Sequence, residues 1–164
     1  MTHEQAKIIS AIGKWEIQVY DIVHVYRDYK IEGNGIDIQE DYVGVVTSID
    51  KRFNEMTVYQ AEKNANRGGV SNRQHTITLI PQEKHLLELL PYSFDTSKGD
   101  MTFQWELKIG KNGDLPGQEK EWFIGWWNDY KDDFINVFQS ESFYEALTDA
   151  VMYYIENNLF VKEG

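Results

Sequence analysis

Aromatic rings and carboxylates crowd together in one stretch of this chain, EWFIGWWNDYKDDF at positions 121–134. Three of the five tryptophans, Trp122, Trp126 and Trp127, fall there with Tyr130, Asp129, Asp132 and Asp133. Indole and phenol rings are the side chains most enriched at binding hot spots. Carboxylates around them steer and pair with the Arg and Lys of a basic partner. The candidate partner-binding set is therefore Trp126, Trp127 and Tyr130 as anchors, with Asp129, Asp132 and Asp133 beside them. Asp114, Glu119, Glu121 and Glu141 extend it on the flanking segments. On a strand, Trp122, Ile124 and Trp126 point one way, and Phe123 and Trp127 the other. The first face is expected beneath a C-terminal helix. Gly125 leaves room for close approach on the second, which is either packed within the chain or open to a partner.

Catalytic and metal chemistry finds no comparable pattern. The four histidines, His3, His24, His75 and His85, form no H-E-x-x-H or neighbouring pair, so no metal centre is expected. No nucleophile elbow and no phosphate-binding P-loop occur. Asp129, Asp132 and Asp133 lack the spacing of a calcium loop. Gly33 and Gly35 are a lone pair without the context of a dinucleotide fingerprint. Lys63, Arg67 and Arg73 surround Gly68 and Gly69, whose bare backbone can approach an anion. That segment is a candidate anion contact, with an ordinary loop as the alternative. The expectation is a protein that is not an enzyme, with no catalytic residue, no cofactor and no metal.

Charge carries the broadest signal. Twenty-seven acids against sixteen bases give a net charge of −11. Residues 1–90 hold 13 acids and 10 bases, and residues 91–164 hold 14 acids and 6 bases. Direct nucleic-acid or anionic-membrane binding by the C-terminal part is disfavoured, because it requires Lys and Arg to displace counterions. Zero cysteines remove disulfides and thiolate chemistry and suit a reducing compartment. The N-terminal stretch lacks signal-peptide character and no window is apolar enough for a membrane span, so a cytoplasmic protein is expected.

The elements that must position these residues are α+β. Thr2 and Gln5 open a helix over 3–12 that Gly13 can end. KWEIQVY and DIVHVY alternate as strand, RDYKIEGNGIDIQED reads as a polar loop, and YVGVVTSID and MTVYQ are strands around the turn KRFNE. KNANRGGVSNRQ then reads as a loop before the strand HTITLI. This order resembles an SH3-like small barrel or bent sheet. A short helix in PQEKHLLELL, opened by Pro81, closes a first lobe at residues 1–90. PYSFDTSKGD reads as the boundary. Residues 91–164 form an acidic β-β-β-α lobe: MTFQWELKI, EWFIGWW and FINVFQ, then a helix capped by Ser142 and Glu145. Its apolar stripe is Phe143, Leu147, Ala150, Val151, Tyr154 and Ile155.

Small size, acidity and absent catalytic motifs resemble the phage-encoded inhibitors of anti-restriction and anti-CRISPR type. That resemblance implies a DNA mimic that blocks a DNA- or RNA-handling enzyme by occlusion. Duplex DNA carries one charge per about 1.7 Å, so a net −8 gathered on one face matches roughly 14 Å of duplex. Two alternatives stand beside it. One is an assembly protein whose aromatic face makes a homo-oligomer. The other is a small-ligand binder stacking a base or sugar on Trp126 or Trp127.

Overall fold

The computed structural model describes residues 1–31, 36–98, 100–112 and 121–157. The chain divides into two compact units, Thr2–Gln82 and Glu83–Gly164, the latter joined by Met1. The short helix within PQEKHLLELL falls in the second unit, where it packs against the C-terminal helix. The architecture is α+β: a helix and a five-stranded antiparallel sheet, then a short helix, a four-stranded antiparallel sheet and a last helix.

In the first unit, α1 spans His3–Gly13 and is opened by a complete capping box between Thr2 and Gln5. Lys14, not Gly13, takes the left-handed cap position, at φ 51°. Gly13 instead leaves room for the Trp15 ring: a Cβ there would lie 2.3 Å from it, and the ring would have to shift. The sheet consists of β1 (Ile22–Ile31), β2 (Ile36–Asp50), β3 (Glu55–Gln60), β4 (Ala65–Val70) and β5 (Thr76–Leu79), in the order β4-β3-β2-β1-β5. Its core gathers Val23, Val25, Val46, Val58 and Val70. Bulges between Val46 and Ser48, and between Met56 and Val58, bend it.

Three sequence expectations change here. KWEIQVY precedes the sheet and is not a strand. RDYKI and IDIQED are not a loop but the outer half of the long β1–β2 ladder, with Arg27 opposite Glu40. The turn-forming run EGNG between them and the charges Arg27, Glu40 and Asp41 at their ends make the whole stretch read as loop by composition. ANRGGV is the edge strand β4 and not a loop; it pairs with β3 on one side alone. Gly33 and Gly35 lie outside the described residues.

In the second unit, α2 (Glu83–Leu89) leads into β6 (Ser93–Lys98), β7 (Met101–Lys111), β8 (Trp122–Asn128), β9 (Asp133–Ser140) and α3 (Phe143–Glu156). The sheet order is β6-β7-β8-β9, so the expected β-β-β-α unit carries a further strand in front. PYSFDTSKGD thus contains an edge strand, whose Phe94 and Thr96 alternate inward between exposed Ser93, Asp95 and Ser97. α3 covers the inner face of the sheet: Trp122 meets Phe143 at 4.8 Å, Trp126 meets Tyr154 at 4.8 Å, and Phe138 meets Tyr153 at 5.4 Å between ring centroids. Ser142 caps α3 as the sequence indicates, whereas the Glu145 side chain accepts from Ser140 Oγ at 2.8 Å. Among the described residues, no helix is long and apolar enough to cross a membrane.

Candidate functional site

The β8–β9 turn is built around one buried amide. Asn128 is 4% exposed; its Nδ2 donates to the Gln104 carbonyl at 2.6 Å, and its Oδ1 accepts from Lys131 N at 2.7 Å. Those two bonds tie the turn to β7 and fix its path. Lys131 folds inward, its Nζ 4.0 Å from the Phe103 centroid and 5.1 Å from that of Trp105. A cation over an aromatic face contributes about 0.5–2 kcal/mol. The turn's one cation is therefore engaged with its own rings. Asp129, Asp132 and Asp133 stay exposed, Asp132 in a left-handed conformation at φ 52°.

Aromatic groups rise beside these carboxylates. Tyr130 is 82% exposed, with its ring 6.0 Å from Phe103. Trp127 is half-buried: its Nε1 donates to Asp129 Oδ1 at 2.6 Å, and its ring lies 4.7 Å from Phe134. A groove of about 450 Å³ runs between β7 and the turn, walled by Gln104, Glu106, Trp127, Asp129 and Tyr130. Gly125 does not open this face to a ligand. A Cβ there would lie 3.1 Å from Val137 Cγ2 and 3.3 Å from Phe134 Cδ1, so side chains of β9 fill the space.

The predicted partner-binding residues divide. Trp127, Asp129, Tyr130, Asp132 and Asp133 come together at one end of β8. Trp126 does not join them: it is 0% exposed, its Nε1 donating to the Pro91 carbonyl at 2.9 Å, and it belongs to the core beneath α3. Glu121 and Glu141 flank the paired residues Trp122 and Ser140 at the opposite end of the strand. At about 3.3 Å per residue they stand roughly 20 Å or more from the turn. The acidic set is two groups and not one patch. Asp114 and Glu119 lie outside the described residues. Sequence reading missed Asn128, Glu106, Phe103 and Lys131, because their roles depend on β7–β8 pairing and on the path of the turn.

The candidate anion contacts also separate. Lys63 ends a single 3-10 turn, Ala61–Lys63, Arg67 lies in β4, and Arg73 sits in the turn before β5. Arg67 lines a polar cavity of about 510 Å³ with Arg27, Glu40, Tyr42, Glu55 and His75, among others; Lys63 and Arg73 do not. His75 Nε2 meets Glu40 Oε2 at 3.1 Å there. Burial, reinforced by Glu40 and opposed by Arg67, raises the Tyr42 pKa above its usual value. His24 takes a second carboxylate, Asp41, at 2.7 Å. Among the described residues, no three His, Cys, Asp or Glu side chains are grouped to hold a metal ion. No known protein family, curated protein or solved structure matches the chain.

Proposed function

We propose that this chain is a non-enzymatic, acidic protein-binding module that engages a basic partner surface through the β8–β9 turn. The observation that carries the reading is Tyr130: a large ring 82% exposed on a turn that a buried asparagine pins in place. A turn whose path is already set loses little backbone freedom on binding, which favours affinity. Trp127 and the adjoining groove supply apolar surface, and Asp129, Asp132 and Asp133 supply steering.

The narrower form of the proposal is a cytoplasmic inhibitor of phage type that occludes a DNA- or RNA-handling enzyme. Its weight rests on occlusion more than on mimicry. Three aspartates and Lys131 leave the turn near −2, which matches only about 3–4 Å of duplex. The likeness of the first sheet to an SH3-like barrel is a reading of strand order and spacing, and fold likeness alone assigns no partner.

Affinity capture from a host lysate at about 50 and 300 mM salt tests this. A basic partner should be retained at low salt and weakened at high salt, as steered association requires. The Asp129→Asn/Asp132→Asn/Asp133→Asn variant should lose most of it, and Tyr130→Ala should lose it at either salt. Capture indifferent to salt and to both variants rejects the proposal; capture of the chain by itself selects the oligomer reading.

A further inference from the structure

A bulge in the edge strand β4 opens one side of the polar cavity that Arg67 lines. Val58 pairs with Arg67 and Met56 with Val70, so Gly68 and Gly69 together oppose Thr57. The extra residue of a bulge drops out of the ladder and leaves its backbone groups unpaired. Gly69 sits at φ 73°, where a side chain would be strained. A Cβ added at either glycine would meet nothing within 4 Å, so bare backbone borders open space.

Strand register decides which side chains look into that space. Val23, Val25 and Val46 mark the core face of the sheet. Arg27 follows Val23 and Val25 at the next alternate position on β1. It stands opposite Glu40, which shares a face with Tyr42 and Val46 on β2. On β4, Arg67 pairs with the buried Val58. His75, just ahead of β5, faces the same way, with its Nε2 3.1 Å from Glu40 Oε2. Arg27, Glu40, Tyr42, Arg67 and His75 thus converge in one cavity at the end of the valine core, about 510 Å³ in volume. Glu55 also borders it, but pairs with Asp50 next to the inward pair Ile49 and Met56, so alternation turns its carboxylate outward.

Charge and hydrogen bonding select the ligand. Glu40 is engaged by His75, whose own Nδ1 lies 3.3 Å from the Ser71 backbone. Among the described residues Arg67 forms no salt bridge. Two guanidinium groups against one carboxylate make the inward-facing set positive, in a chain whose net charge is −11. An ammonium would be repelled there. An oxyanion would meet the Arg67 fork, which suits phosphate and carboxylate oxygens, and the N–H groups of the glycine bulge. Tyr42, its phenol kept protonated by burial, adds a neutral donor. The volume exceeds that of a bare phosphate, and its wall is polar throughout most of its extent. We propose that this cavity binds a small hydroxylated phosphomonoester, its phosphate on Arg67 and the Gly68–Gly69 backbone and its hydroxyl groups toward Tyr42 and Glu40. Of the cations that the sequence grouped, Lys63, Arg67 and Arg73, the register keeps Arg67 and sets Arg27 beside it. The site lies wholly in the first unit and does not depend on the partner proposed for the β8–β9 turn.

Titrating the intact protein with ribose 5-phosphate, inorganic phosphate and ribose tests the idea, observed through the Gly68 and Gly69 amide resonances. Ribose 5-phosphate should shift both saturably, inorganic phosphate more weakly, and ribose neither. Arg67→Gln, at an exposed edge position, should weaken the ester about tenfold or more, the scale of a charge-assisted hydrogen bond. Tyr42→Phe should weaken the ester about three- to fivefold and leave inorganic phosphate unchanged. Arg73→Gln removes the same charge outside the cavity and should change neither. No saturable shift, ribose or inorganic phosphate binding as tightly as the ester, affinity unchanged in Arg67→Gln, or Arg73→Gln weakened equally would overturn the proposal.

Discussion

The interiors of the two sheets are made of different materials. The first gathers five valines, Val23, Val25, Val46, Val58 and Val70, and these carry no polar atom. The second gathers rings, and each indole brings an N–H that needs an acceptor. Trp105 Nε1 finds Thr96 Oγ1 at 2.8 Å, Trp126 Nε1 the Pro91 carbonyl at 2.9 Å, and Trp127 Nε1 Asp129 at 2.6 Å. Valines fill a pleated interior by volume alone, whereas these three indoles are fixed in direction as well, each by its acceptor. Large flat groups held in set directions leave gaps between them. A cavity of about 370 Å³ beside Phe94 and Tyr154 and the groove beside Trp127 both border such rings. The aromatic sheet thus offers surfaces bordered by rings, whereas the Arg67 cavity of the first unit is walled mainly by polar groups.

The sharpest way to break the contrast is to remove one side chain from each interior. Trp126→Ala should destabilise the 83–164 unit by about 3–5 kcal/mol, since it deletes a fully buried ring and leaves the Pro91 carbonyl without its donor. Val46→Ala should cost the first unit about 2 kcal/mol. Equilibrium denaturation of the intact chain, followed by probes in each unit, measures both; equal costs would erase the distinction. Asn128→Ala comes next, at about 2 kcal/mol, because it deletes a buried amide and strands the Gln104 carbonyl and the Lys131 N–H. Hydrogen exchange at Lys131 should rise in parallel. An Asn128→Ala protein with wild-type stability and exchange would mean that the turn does not depend on this amide, and its set path would lose its explanation.

Which features were legible in the sequence follows from the range of the interactions. The capping box at Thr2 and Gln5, the turn at 51–54 and the α3 stripe are local, and residue spacing reveals them. So is the sidedness of β8, with Trp122 and Trp126 toward α3. β4 and β6 are edge strands that face solvent, and the polar sequence of both, with two glycines in β4, has the composition of a loop. Trp126 as an anchor conflicts with the alternation along β8, which turns it toward α3 and buries it fully. The separation of Glu121 from Asp129 is a matter of strand length, and could have been foreseen once EWFIGWW was read as a strand. The β9 bulge, where Asn136 and Val137 together oppose Gly125, had no local sign. It becomes visible only when the β8–β9 register is counted.

The mildest test exploits the one ring in the aromatic interior whose polar atom titrates far from its ordinary value. Tyr154 has its pKa raised by burial from 10.0 to about 12. Between those values the unfolded chain gives up its phenolic proton while the folded chain keeps it. The stability contributed by the neutral, buried phenol is thus fully present below pH 10 and is lost as pH rises toward 12. By pH 11 the loss is about 1 kcal/mol. Tyr154→Phe should flatten that part of the alkaline stability profile. Tyr144 in the same unit, also raised by burial, leaves a residual slope. No valine in the first interior can impose such a dependence, although Tyr42, packed against that core, contributes a raised phenol of its own. The comparison therefore becomes one of slopes: Tyr154→Phe should alter the alkaline limb of the 83–164 transition alone. A profile unchanged by the substitution would show that the Tyr154 hydroxyl reaches water in the folded protein, and would remove the neutral donor from the cavity it lines.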